Sequence, residues 1–364
     1  MTTRNVGPAS RCLALLTEGL RRWLWPSRIK LQDGRCQRKH RHCHRRRHRV
    51  YAALLGLFLV ALAARLRGIG ADSRVVWDET HFGRFATRYI NREFYLDVHP
   101  PLGKLLLTAI YAALGYSGDF DFESGQAYPS SVPIASARCV QALLGALLAP
   151  VSVVVLHAMR LPPACAWLAG FFAALDNALI GISRIVVLDS MLLLANALSL
   201  YAFLRLKLAQ KRKLRHALVF GAALGILCSI KLVGLLTLTV FNAFLIGDIL
   251  VYRGTPREHM RALLRLLSAL ALSALVYLAA FAIQLLVFQN YTPEAEHMGS
   301  EFVARLNNSA IASQYPTIRP GSFVVLRSAH YPFEYLSAYA TNSNSSSDYV
   351  LATRRRLAVE DYWQ

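Results

Sequence analysis

"VVWDETHFGRFATRYINREFYLDVHPPLGK" occupies residues 75–104 and directly follows an apolar run long enough to cross a bilayer. A plain connecting loop needs turn residues. This one carries Asp78 beside Glu79, arginines at 84, 88 and 92, a His-Pro-Pro and Lys104. The run before it covers 50–66, and six more follow at about 138–160, 163–183, 185–205, 217–230, 232–251 and 262–288. About 20 apolar residues cross the hydrocarbon of a bilayer. Continuous runs argue against the alternation of a closed barrel. With 55% hydrophobic residues in a chain of 364, the sequence reads as a polytopic α-helical membrane protein of about seven spans.

The net charge of +20 would suit a nucleic-acid binder, but its distribution does not. Residues 1–49 hold 14 Lys/Arg and 2 Asp/Glu, which is +12 of the +20. Much of the rest lies in two short loops, "LKLAQKRKLRH" and "YRGTPREHMR". Charge massed beside spans is the positive-inside pattern, and no nucleic-acid motif accompanies it. Residues 1–49 are therefore a basic cytosolic segment, too long before the first apolar core for a cleavable signal. Within them, Cys36, His40, His42, Cys43, His44 and His48 could be zinc ligands, but eight Lys/Arg between Arg35 and Arg49 oppose a cation there. A polybasic flank is the better reading, and no metal site is assigned. The six cysteines form no visible disulfide framework.

The runs alternate consistently. With a cytosolic N-terminus, both basic loops face the cytosol, and the long loop 67–137 and the segment 289–364 face the opposite, lumenal side. The sequons at Asn290, Asn307 and Asn344 all follow the last span, which agrees, since such acceptors are used in the secretory lumen. Arg138, Arg184 and Lys231 fall at lumenal span ends, with Asp189 just inside. Each could snorkel to head groups. Three on the side that disfavours positive charge point instead to a cavity or partner.

Phe82, Phe85, Ala86, Tyr89 and Ile90 recur at helical spacing, with the arginines on another face. The expected element is an amphipathic helix in the membrane interface. His99 precedes Pro100 and is expected to be extended. Pro101 suits a helix start, so a helix over 102–116 is expected. Its free N–H groups and Lys104 suit a phosphate. His99, Lys104, Arg184 and Lys231 are the candidate phosphate ligands. Asp78 and Glu79 are either solvated acids, a helix cap, or a general base held near cations. Being adjacent, they should diverge: Asp78 toward the cavity, Glu79 toward Arg138, fixing the loop.

"WDETHFG", "YINREFYLDVHPPLGK", the Arg138-Cys139 span start, "SRIVVLDSMLLL" and "ALGILCSIKLVGL" resemble the protein O-mannosyltransferases, most closely the type-2 subfamily. "YPTIRPGSFVVLRS" resembles the opening of that family's lumenal MIR domain, a β-trefoil. The resemblance implies a GT-C glycosyltransferase fold over 50–288 and a partial MIR domain in 289–364, where the chain stops at Gln364 inside the first repeat. It implies a multi-pass enzyme of the endoplasmic reticulum. Such enzymes carry mannose from dolichyl phosphate mannose to Ser/Thr hydroxyls of secretory proteins, with inversion. They work without a metal or cofactor, as a heterodimer of paralogous subunits. By motif, Asp78 matches the catalytic aspartate, Glu79 its neighbour and Arg138 the essential arginine. The rival readings are a GT-C transferase using another polyprenyl-phosphate sugar on a lipid, a non-catalytic partner subunit, and a transporter. A transporter needs ionisable groups deeper in the spans than these lie.

Overall fold

The computed structural model describes residues 36–209, 212–251 and 255–309, and four short strands beyond them. Helix α1 (Cys36–Leu66) leads in. Two short helices, α2 (Glu79–Ile90) and α3 (Pro101–Ala113), occupy the long loop. Then come α4 (Ile134–Ala158), α5 (Pro163–Leu175), α6 (Asn177–Ile182), α7 (Asp189–Leu208), α8 (Lys213–Ile230), α9 (Gly234–Val251) and α10 (Pro256–Val287). Among the described residues six helices are long and apolar enough to cross a membrane: α4, α7, α8, α9, α10 and the 48–66 part of α1. The chain is a multi-pass helical membrane protein.

The expected span over 163–183 is not one helix. It breaks at Asp176, whose backbone is extended and whose carboxylate accepts from Leu179 N at 2.8 Å, capping α6. Asp is a strong helix-starting residue, and here that local preference overrides apolar continuity. The carbonyls left open at the end of α5 must be satisfied at membrane depth. Arg65, fully buried in α1, donates to the carbonyls of Ala174 at 2.9 Å and Ala173 at 3.2 Å.

Small residues bring the long helices together, as apolar solvent supplies no hydrophobic drive between them. A Cβ at Gly221 of α8 would stand 2.4 Å from the Ala269 carbonyl oxygen of α10. Ser273 of α10 donates to the Gly221 carbonyl at 2.8 Å. At its start α10 carries a reciprocal cap between Thr255 and Glu258, with Pro256 following.

The expected interfacial helix exists as α2, but its apolar face is not offered to lipid. Phe82, Ala86 and Tyr89 are buried. Phe82 and Ala86 pack in a core with Leu107, Tyr111, Phe122, Ala137, Leu188 and Ile230. Gly83 makes this possible, because the Phe122 ring lies where a side chain would be. The arginines meet protein too: Arg84 donates to Asp121 O at 2.7 Å, Arg88 pairs with Glu294 at 2.6 Å, and Arg92 donates to Gln289 at 2.7 Å. Loop closure over α2 thus takes the surface that hydrophobic periodicity alone would give to the membrane.

After α10 the chain returns to this loop. Phe288 joins Tyr89, Phe94 and Tyr95 in an aromatic cluster, and Phe94 N donates to Asn290 O at 3.1 Å. In the region expected to begin a β-trefoil, β1 (Val324–Val325) pairs with β4 (Tyr362–Trp363), and β2 (Tyr335–Ala340) with β3 (Tyr349–Arg354), both antiparallel. The remainder of the expected MIR segment and residues 1–35 lie outside the described residues.

Candidate active site

The sharpest feature is the start of α2. Glu79 is buried, and its carboxylate accepts five bonds: Arg138 Nε at 2.8 Å, Arg138 Nη2 at 2.7 Å, Tyr128 Oη at 3.0 Å, Val186 N at 3.0 Å and Val76 N at 3.3 Å. Arg138 in turn donates to Asp72 O at 2.6 Å and Arg74 O at 3.3 Å. Bidentate Arg–carboxylate pairing of this kind fixes geometry as well as charge. Glu79 therefore turns toward Arg138, and the pair ties the loop 72–79, Tyr128, α4 and the turn before α7 into one node. Arg138 lies one turn inside α4 rather than opening it. With four of its five N–H groups engaged inside the protein, it is a positioning residue for its neighbours. Burial and the Glu79 charge hold the Tyr128 phenol far above its ordinary range.

Asp78, the preceding residue, caps α2 without a side-chain cap bond. Its half-buried carboxylate has no hydrogen bond or ion pair among the described residues. Trp77 before it takes a left-handed backbone, φ 47°, and is itself 63% exposed. That conformation is unusual for a bulky residue, and such strain clusters at functional sites. Neither Trp77, Tyr128 nor Val186 was visible as a site residue in the sequence; a composition pattern carries no record of backbone handedness.

Along α2 the aromatic residues carry two cations. Lys231 Nζ stands 6.0 Å from the Phe82 ring centre, and Lys104 Nζ 5.0 Å from that of Phe85. Phe82 is one turn beyond Asp78, about 6 Å along a helix axis. Lys231 bonds both oxygens of Asp189, at 3.0 and 2.8 Å. Lys104, in the first turn of α3, bonds Asp97 at 2.6 Å and the His99 carbonyl at 2.9 Å. His99 lies in the field of all four of these groups; burial is the main reason its imidazole titrates below the ordinary value. Its Nδ1 is buried with no hydrogen-bond partner among the described residues. Asp97, which no sequence spacing singles out, folds back onto Lys104 through the Pro-Pro turn.

Arg184 is placed differently. Its guanidinium donates to the carbonyls of Arg65, Arg67 and Gly68 at 2.8, 2.6 and 3.2 Å, closing the end of α1. So the structure brings His99, Lys104 and Lys231 together beside α2, joins Glu79 to Arg138, and sets Arg184 to a structural task. Of the sequons, Asn290 donates to Asn91 O at 2.8 Å and Thr292 to Phe94 O at 2.7 Å, so that pair is bound into the fold. Asn307 is exposed, and Asn344 lies outside the described residues.

The structure places an acid dipeptide and two paired lysines at one end of a bundle of membrane helices, and sequence comparison identifies the family of such a chain. The profile described as dolichyl-phosphate-mannose-protein mannosyltransferase matches residues 55–289, and the chain belongs to that family. Protein O-mannosyltransferase 1 of Drosophila pseudoobscura pseudoobscura is 33% identical over 287 residues, 75% of this chain and 32% of that protein. Dolichyl-phosphate-mannose--protein mannosyltransferase 1 of Candida albicans is 33% identical over 301 residues, 79% of this chain and 34% of that protein. A solved structure of the S. cerevisiae protein O-mannosyltransferase Pmt1-Pmt2 complex bound to the sugar donor superposes with a TM-score of 0.71 at 27% identity. It covers 86% of this chain and 45% of that one, and carries the GT-C architecture expected from the motifs. The chain spans about a third of the length of these two curated relatives. Relatives numbered 1, 2, 3, 4 and 6 all match at similar identity, so the family is fixed and the subfamily is not.

Proposed function

We propose that the chain transfers mannose from dolichyl phosphate mannose to Ser and Thr hydroxyls of secretory proteins, in the lumen of the endoplasmic reticulum. We propose further that it does so paired with a paralogous subunit. The single observation that carries this reading is the contrast within one dipeptide. Glu79 is saturated with donors, while Asp78 beside it is held on a rigid helix end with its carboxylate unspent. Family membership and the likeness to a donor-bound complex of two subunits support the substrate and the pairing.

In this reading Asp78 accepts the proton of the acceptor hydroxyl as its oxygen attacks the sugar's anomeric carbon. The bond from that carbon to the phosphate oxygen breaks on the opposite face, which inverts the centre, and dolichyl phosphate leaves with the electron pair. A phosphate leaving group is already anionic, so its developing charge can be met by cations held in place. Lys231 and Lys104 would supply that charge by exchanging Asp189 and Asp97 for the phosphate, with His99 between them, and no metal is assigned a part.

The test is turnover of a Ser/Thr peptide with dolichyl phosphate mannose, alongside donor binding, in the assembled heterodimer. Removing a general base typically costs about a hundredfold to ten-thousandfold in rate. Asp78→Asn should lose that much and bind donor normally. Retention of more than about a tenth of the rate removes Asp78 from the base role. If the heterodimer keeps its rate with Asp78→Asn but loses it when the paralogue's equivalent acid is changed, this chain is the supporting subunit.

A further inference from the structure

The opposite membrane face carries a second built feature. Helix α7 runs 20 residues from Asp189 to Leu208, about 30 Å, and α8 returns from Lys213 to end beside Lys231. The far ends of α7, α8, α9 and α10 therefore lie a membrane thickness away from the acid dipeptide, and they enclose a cavity of about 790 Å³. Its apolar wall includes Leu206, Leu245, Ile249 and Leu264, and Lys213, Arg261 and Arg265 line it as well.

The acids at this cavity are already engaged. Asp248 pairs with Lys207, and Glu258 accepts from the backbone and hydroxyl of Thr255 at 3.0 and 3.1 Å. Lys213, Arg261 and Arg265 have no carboxylate partner among the described residues. Arg265 is half-buried, and its Nε is tied to the Arg261 carbonyl at 2.7 Å, which leaves the fork of its guanidinium for another acceptor. A half-buried cation without a counter-charge at a span end calls for one. The guanidinium fork matches the oxygens of a phosphate.

We infer that this cavity binds the head group of an anionic glycerophospholipid, with Arg261, Arg265 and Lys213 on the phosphate and the acyl chains along the leucine-lined side. Charge complementarity selects the anion. The apolar wall selects a lipid over a soluble phosphate, which would leave that wall wet. The face is also the one bearing the basic loops, hence the cytosolic leaflet where anionic lipids gather.

Native mass spectrometry of the whole chain, purified in mild detergent and mixed with phosphatidylcholine containing phosphatidylserine or phosphatidylinositol, tests this. The wild type should hold an anionic phospholipid under conditions that strip phosphatidylcholine. Arg261→Gln with Arg265→Gln should lower the held fraction about tenfold or more. Arg257→Gln, outside the cavity, should not. If the double variant does not accumulate folded, Lys213→Gln with Arg261→Gln, both at exposed positions, carries the same expectation. Equal retention by wild type and variant, equal retention of phosphatidylcholine, or complete displacement by millimolar inorganic phosphate would each overturn the assignment.

Discussion

Two ion-pair systems flank helix α2, and they are built to different ends. At its start, the Glu79–Arg138 pair is 0% and 2% exposed at the side chains and is closed by backbone and phenol donors. Along its length, the Lys231–Asp189 pair is 15% and 22% exposed and, among the described residues, carries no further donor of that kind. Lys104–Asp97 lies between, with a buried ammonium and an acid 12% exposed. A carboxylate with five donors has nothing left to offer a substrate. A lysine sharing one acid at a wetter site can change partners at modest cost. The first system holds the frame; in the proposed reaction the second would supply the exchangeable charge.

The contrast predicts its largest effect at the frame. Breaking a buried pair from one side leaves an uncompensated charge and costs about 3–5 kcal/mol. Arg138→Ala should therefore lower the thermal midpoint in detergent markedly and release the loop 72–79 to proteolysis, with loss of activity following from loss of order. The double change Glu79→Gln with Arg138→Met, which removes both charges, should recover a good part of that stability and little of the activity. If Arg138→Ala keeps wild-type stability and loses only turnover, the node is part of the chemistry and the comparison fails.

At the exchangeable pair the expected effects are smaller and fall on binding. Hydrogen bonds to charged groups contribute about 1.5–3 kcal/mol, so Lys231→Met should weaken donor binding about tenfold or somewhat more. Asp189→Asn, which frees the same ammonium, should leave donor binding equal or tighter. Weakening by both substitutions to the same extent would show a second rigid node where partner exchange is expected.

Much of this was legible in the sequence because the signals were local or repeated. Apolar runs gave most of the spans, Pro101 gave the start of α3, and the adjacency of Asp78 and Glu79 gave the turn of Glu79 toward Arg138. What was hidden depended on distant contacts. Asp176 looks like one polar residue in a long apolar run, and its cap on Leu179 breaks the expected span only because Arg65 closes the helix before it. The face of α2 has the periodicity of a membrane anchor, and only the returning segments with Phe122 and Phe288 show that protein covers it. Lys104 reads as a free cation until Asp97 folds back through the prolines, and Arg184 until the end of α1 is seen beside it.

The smallest expected effect belongs to His99, and it separates the two systems by proton uptake. His99 sits among Asp97, Lys104, Lys231 and Asp189, and burial holds its pKa below the ordinary value of 6.5, with the two lysines opposing its charge and the two acids favouring it. A proton is thus bound less readily folded than unfolded. Its contribution to stability is present above about pH 6.5, is lost as pH falls toward the lowered folded value, and is constant below that. One proton bound by the unfolded chain alone changes stability by at most about 1.4 kcal/mol per pH unit. His99→Gln keeps a polar side chain and removes the titration. Thermal midpoints measured from pH 8 to pH 5 should run parallel for wild type and His99→Gln above pH 6.5, with the wild type losing more below it. The same scan on Glu79→Gln tests the frame: its difference from wild type should not follow the His99 profile. Parallel curves for wild type and His99→Gln across the whole range would mean that the fold charges His99 as easily as water does, and the exchangeable system would then lie open to solvent.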